Sequence, residues 1–181
     1  MIPRPIDSVE RRIIRLPAVL AFGSNLGDRE ATILAAVDDL RATPGIEVGA
    51  VSRLYETVAI KPGGADYDAP SYLNAVALIR TSLHPEELLG EVNRIEHDHG
   101  RVRAERWGDR TLDVDIVTFA SIIRTTPRLT LPHPRAAERD FVLVPWLEVD
   151  PAASLPGLGR ADALLAAIPE STLRPYAGEH R

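Results

Sequence analysis

Two stretches of helical periodicity, each bracketed by apolar runs too short to be helices, set the framework of this chain. Pro17–Gly23 (PAVLAFG) is a short apolar run ending in turn residues, consistent with a buried strand. Asp28 can cap a helix over about 29–42, where Ile33, Leu34, Val37 and Leu40 recur at helical spacing, and Pro44-Gly45 ends it. Ile46–Thr57 reads as a strand. A loop rich in Pro, Gly, Asp and Ala follows from about Val58 to Ser71, a length often associated with function. Tyr72–Ser82 is an apolar strand, and Pro85 opens a helix of about 85–98 with Leu88, Leu89, Val92 and Ile95 as its stripe. Leu112–Ala120 is a strand, Leu129–Leu131 a short one and Ala136–Arg139 a helical turn. Phe141–Val149 (FVLVPWLEV) reads as a further strand and Leu158–Ile168 as a last short helix. The order β-α-β-β-α-β predicts an α+β fold of the ferredoxin-like kind. Its antiparallel sheet would carry helices packed on one face, with C-terminal additions.

Residues 17–175 are expected to form one domain, with 1–16 a charged N-terminal extension and 176–181 a tail. The 181 residues are enough for one well-buried core. The chain has no cysteine, which excludes disulfides, thiolate metal sites and cysteine nucleophiles. No apolar run approaches the roughly 18 residues of a membrane helix. Asp7, Glu10, Arg11 and Arg12 fall where a secretory signal would be apolar, so a cytoplasmic protein is expected. A net charge of −5 argues against broad nucleic-acid binding. Among the 21 basic residues only Lys61 is lysine. A bound phosphate must therefore be gripped by arginine forks, a metal or backbone amides.

Leu112-Asp113-Val114-Asp115-Ile116 carries the sharpest chemical signal. Alternation puts Leu112, Val114 and Ile116 on one strand face and the two carboxylates on the other, about 7 Å apart. The pattern fits either a solvated outer face or a hard-cation site, for which Mg²⁺ is the natural occupant. Just upstream, Arg101, Arg103, Arg106 and Arg110 crowd a loop bounded by Gly100 and Gly108, with Trp107 at its middle. Acid pair and arginine cluster together suit phosphoryl transfer, which needs charge neutralisation and positioning more than covalent help. The acid pair alone would also suit a nucleotide-sugar metal site. His133, between Pro132 and Pro134, sits on a rigid turn with Arg139 beyond it. Tyr72 and Asn74 share a strand face, an aromatic and an amide that suit a flat polar heterocycle. His97 and His99, two apart on a helix, point to different faces and chelate poorly.

With these residues in view, the sequence resembles the 6-hydroxymethyl-7,8-dihydropterin pyrophosphokinase family of folate biosynthesis. The likeness runs from about Val19 to Pro151. It is carried by Gly23–Asp28 (GSNLGD), Leu54–Thr57 (LYET), Tyr72–Val76 (YLNAV), Gly100–Arg103 (GRVR), Arg106–Asp115 and Leu131–Pro134 (LPHP) with Arg139–Leu143. The resemblance implies transfer of pyrophosphate from ATP to the pterin hydroxymethyl group, with AMP released. It implies that Asp113 and Asp115 hold two Mg²⁺ ions and that Asp115 receives the hydroxyl proton. Arg101 and Arg110 would meet transition-state charge. Arg101, Arg103, Arg110, His133 and Arg139 would grip the triphosphate. Asn93, Glu96 and Ile116 would lie by the nucleotide, and Leu129 and Thr130 where the adenine is held. Tyr72 and Phe141 would sandwich the pterin, Asn74 would bind its edge with help from Thr57 and Ile60, and Trp107 would close over the site. Two departures from the family pattern stand out: after Thr57 the chain reads Val58–Gly63 (VAIKPG), where the family usually shows a proline sooner after the threonine, and Asp109 stands where the family commonly has proline between Gly108 and Arg110. The resemblance further implies ATP and the pterin alcohol as partners; with no feature that demands an oligomer, a monomer without nucleic acid or membrane is expected, with contact to neighbouring folate-pathway enzymes left open.

Overall fold

The computed structural model describes residues 13–61, 64–100, 111–169 and 171–178. Strand β1 (Leu16–Ser24) leads to helix α1 (Arg29–Ala42), then β2 (Ile46–Val51) and β3 (Tyr55–Thr57). A hairpin of β4 (Ala59–Lys61) and β5 (Gly64–Asp66) precedes β6 (Tyr72–Thr81) and helix α2 (Pro85–Asp98). Strand β7 (Asp113–Phe119) is followed by the short pair β8 (Arg124–Thr125) and β9 (Thr130–Leu131), then a 3₁₀ turn at Ala136–Glu138. Helix α3 (Asp140–Val149), the pair β10 (Ser154–Leu155) and β11 (Gly159–Arg160), helix α4 (Ala161–Ala166) and β12 (Arg174–Pro175) complete the chain.

The main sheet runs β12-β3-β6-β1-β7, with β2 also on β6, and every pairing is antiparallel. The two long helices expected from the sequence form where their caps predict, though Leu34 of the expected α1 stripe is exposed; the last helix, expected over 158–168, is the shorter α4. Asp28 Oδ1 accepts the Ala31 amide at 3.0 Å, and Pro85 opens α2 with a Glu87 carboxylate returning to the His84 amide at 2.7 Å.

Three expectations need correction. The stretch 46–57 is two strands rather than one. The β2–β6 register slips between Val48 and Val51, and Ser52 leaves the ladder to exchange hydrogen bonds with Val76 through both its amide and its hydroxyl. Phe141–Val149 is a helix, not a strand. Val142, Leu143 and Trp146 bury at helical spacing, and the run is so apolar that its period is hidden in the sequence. Helices therefore cover both sheet faces, not one. Helices α1 and α2 bury the face of Leu20, Phe22, Ala75, Ala77, Val114 and Ile116. Helices α3 and α4 cover Val19, Ala21, Val76 and Val117 on the other.

Candidate active site

The site lies on the α3 face of the sheet, where that helix stops short of covering it. Along β1, residues 19, 21 and 23 share this face; along β6, residues 72, 74, 76 and 78; along β7, residues 113, 115 and 117. One end of the stripe is apolar and packed. The other end is Gly23, Tyr72, Asn74, Asp113 and Asp115. Tyr55, Asn74, Gly23 and Asp113 stand opposite one another across four strands. Together with Thr57, Arg139 and Phe141 these open-end residues border a cavity of about 220 Å³. Arg139 and Phe141 reach it because the helix that replaces the expected strand begins at Asp140.

The start of the carboxylate strand is held from both sides. Ser24, fully buried, donates its hydroxyl to the Thr111 carbonyl at 2.6 Å. Glu96, 2 % exposed on α2, accepts the Val114 amide at 2.8 Å, between the two aspartates. Its carboxylate thus holds β7 at its outer edge. By alternation the Ile116 backbone presents its polar groups to the same edge, while the Ile116 side chain is in the core. Leu129 is buried, Thr130 lies in β9, and Asn93 is exposed on α2.

The charged side chains of the cavity converge on Asp115. Arg139 Nη1 donates to Asp115 Oδ2 at 3.1 Å, and the same guanidinium lies 5.4 Å above the Phe141 ring. His133, which follows a cis Leu131–Pro132 bond, sets Nε2 3.6 Å from Asp115 Oδ2. Its Nδ1 accepts the Arg135 amide at 3.2 Å, so the ring proton is on Nε2 and faces the carboxylate. Burial lowers the His133 pKa, Asp115 works against that, and Arg139 adds to it, so the ring is a neutral donor at neutral pH. Asn74 Nδ2 donates to Thr57 Oγ1 at 3.0 Å, which aligns the two residues expected at the pterin edge.

Arg135 and Glu138 also border the cavity, and sequence reasoning did not single them out. The signal available for Arg135 was its place two residues after His133. Gly23 was noted within its motif but not as the cavity floor. Arg101, Arg103, Trp107, Asp109 and Arg110 lie outside the described residues, as does the Ile60 side chain. His99 pairs with Asp39 Oδ2 at 2.7 Å and so ties α2 to α1.

Among the described residues no group of three or more His, Cys, Asp or Glu is placed to hold a metal ion, so the acidic pair Asp113 and Asp115 is the candidate donor set. That donor set fits Mg²⁺, which keeps several waters and takes its other ligands from substrate phosphates. No helix of the described residues is long and apolar enough to cross a membrane.

Residues 19–151 match the family model for 7,8-dihydro-6-hydroxymethylpterin-pyrophosphokinase (HPPK). A 2-amino-4-hydroxy-6-hydroxymethyldihydropteridine pyrophosphokinase of Methylorubrum extorquens is 41% identical, over 87% of this chain and 97% of that protein. A protein of the same name from Mycobacterium leprae is 45% identical, over 82% of this chain and 81% of its own. The fold is also that of the crystal structure of Plasmodium falciparum HPPK-DHPS, wild type with pteroate. There the TM-score is 0.66 at 15% identity, covering 84% of this chain and 42% of that longer one. The chain belongs to the 7,8-dihydro-6-hydroxymethylpterin-pyrophosphokinase family.

Proposed function

We propose that this chain transfers the pyrophosphoryl group of ATP to the hydroxymethyl oxygen of 6-hydroxymethyl-7,8-dihydropterin, releasing AMP, in folate biosynthesis. The observation that carries this reading is the meeting, in one cavity, of Asp113 and Asp115 with Tyr72, Asn74 and Phe141. A phosphate-handling pair and a flat-ring pocket share one floor, in a chain of this family. The strand order β7-β1-β6-β3 and the two helices on the α1 side support the ferredoxin-like description of the central unit.

Asp113 and Asp115 would hold Mg²⁺, two ions by family resemblance, which when bound neutralises phosphate charge and polarises the pterin hydroxyl. Asn74 and Thr57 take the heterocycle's polar edge, and the Tyr72 and Phe141 rings take its faces. That fixes the hydroxymethyl arm toward Asp115. The hydroxyl proton passes to an Asp115 oxygen as the substrate oxygen attacks the β-phosphorus. The bond from that phosphorus to the α-β bridging oxygen breaks, and AMP leaves with the electron pair. His133 donates from Nε2 and Arg139 from its guanidinium to the triphosphate. Arg101, Arg103 and Arg110 bring further positive charge, Arg101 and Arg110 chiefly in the transition state. Trp107 closes with the arginine loop and excludes water. The nucleotide lies along the β7 edge, by the Ile116 backbone, Asn93, Glu96, Leu129 and Thr130, with Ile60 on the pterin side. The protein works as a cytoplasmic monomer.

The test is direct. The protein is mixed with Mg²⁺, ATP and the pterin alcohol, and AMP is resolved from ADP. AMP forming only when metal and pterin are both present is the expected result. ADP, or AMP without pterin, refutes pyrophosphoryl transfer to this acceptor.

A further inference from the structure

The C-terminal segment reaches the residues that adjoin the pterin pocket. Strand β12 adds to the sheet edge at β3, Arg174 opposite Glu56 and Pro175 opposite Tyr55. The Tyr176 amide continues the ladder to the Leu54 carbonyl at 3.0 Å. Arg174 donates to Glu56 Oε2 through Nη2 at 2.6 Å and Nε at 3.1 Å. The other oxygen of Glu56 accepts the Ser71 hydroxyl at 2.6 Å and Arg29 Nη1 at 3.0 Å. Arg29 also donates to the Ser71 carbonyl at 2.9 Å, tying the start of α1 to the entry of β6. Earlier in the segment, the Ser171 hydroxyl donates to Asp140 Oδ2.

Each of these anchors sits one residue from a side chain that borders the pocket. Glu56 precedes Thr57, Ser71 precedes Tyr72, and Asp140 precedes Phe141. In strands β3 and β6 neighbours alternate faces, so the network grips the back of the sheet while Thr57 and Tyr72 stand on its front. An isolated exposed arginine pair contributes little. This one closes a network on a carboxylate whose side chain is only 15% exposed and whose two oxygens take four donors. Burial would raise the Glu56 pKa, but hydrogen bonds from Ser71, Arg174 and Arg29 outweigh it and hold it below the usual carboxylate range.

We infer that residues 171–176 are a positioning strap for the pterin pocket, acting through Glu56 on Thr57 and Tyr72 and through Asp140 on Phe141. This rests on the reading of that pocket as the pterin site. The Glu56 arm runs through Ser71 and Arg29 to the pterin end of the cavity, so losing Arg174 acts first on that substrate.

Steady-state kinetics with AMP release as readout separates the outcomes. Arg174→Ala alters an exposed side chain and leaves the fold intact. It is expected to raise the KM for the pterin alcohol about fivefold or more, with the KM for ATP and the melting temperature little changed. Arg174→Lys, which keeps the charge and one donor direction, falls between. Glu56→Gln raises the pterin KM as well, and adding Arg174→Ala to it has little further effect, because both act through one network. An unchanged pterin KM in Arg174→Ala overturns the strap. Equal losses for both substrates that track a fall in melting temperature also overturn it, since that is a purely structural role. If the wild-type chain releases no AMP with pterin, the pocket reading falls and takes the strap with it, and that control distinguishes the two failures.

Discussion

The two ends of one sheet face differ sharply. They share strands β1, β6 and β7, the same alternation and the same register. At one end Val19, Ala21, Val76 and Val117 meet Leu143 and Trp146 of α3, and the packing is closed. At the other, two to four residues along each strand, stand Gly23, Tyr72, Asn74, Asp113 and Asp115, and a cavity of about 220 Å³ remains. What separates them is where α3 begins. Its first residues, Asp140 and Phe141, mark the border, with Arg139 leaning over it to Asp115. A scaffold and a site are thus built from one pleat, and the helix start decides which residue is which.

If that division is right, substitutions at the two ends fail in different ways. The largest effect is expected at the open end. Asp115→Ala should lower turnover by several orders of magnitude while the thermal midpoint moves little, because loss of the Arg139 pair is offset by relief of the repulsion from Asp113 at a partly exposed site. Circular-dichroism melting and AMP release, measured on the same sample, check this. Activity within about tenfold of wild type would remove Asp115 from the chemistry.

The packed end should behave in the opposite sense. Leu143 is fully buried against the sheet. Leu143→Ala is expected to cost about 2–5 kcal/mol, a large share of the roughly 5–15 kcal/mol that holds such a domain together. The folded fraction should keep its KM for pterin. Urea titration gives the first quantity and kinetics at low temperature the second. A selective rise in pterin KM, without loss of stability, would show that the helix is part of the pocket rather than its support.

The open end was the more legible of the two. Asp113 and Asp115 were legible as a pair because a strand buried on one face must alternate, which sets both carboxylates on the other face; the arginine loop beside them is what favoured a site over a solvated face. Tyr72 and Asn74 follow by the same rule. The start and stop of α1 and the start of α2 were written in Asp28, Pro44-Gly45 and Pro85, each a local backbone effect. Helix α3 was not legible, since the FVLVPWLEV run is apolar nearly all round and leaves no periodic stripe. The Glu56 network was hidden for another reason. Its partners Ser71, Arg29 and Arg174 stand 15, 27 and 118 residues away, and only the folded sheet brings them together. Arg135 and Glu138 depended on α3 in turn, because the turn before that helix carries them to the cavity.

Gly23 offers the finest probe of the border, because it belongs to both ends. It lies on the same face of β1 as Val19 and Ala21, yet it stands between Asn74 and Asp113 on the cavity floor. A Cβ built there would meet Asn74 Oδ1 at 3.7 Å and the Tyr72 ring at 4.0 Å, ordinary contact distances. The protein itself therefore has room for alanine, and a strand alanine also loses less backbone freedom on folding than glycine. Gly23→Ala should leave the thermal midpoint unchanged or slightly raised. The added methyl nevertheless stands against the amide and the ring that would hold the heterocycle. The KM for pterin should then rise about tenfold, equivalent to ~1.4 kcal/mol of lost binding, with the KM for ATP unaltered. A rise in both constants would place the triphosphate over Gly23 and shift the pterin toward Thr57. No rise in either would mean that the floor between Asn74 and Asp113 is not a contact surface, and the glycine would then be there only for the packing of β1.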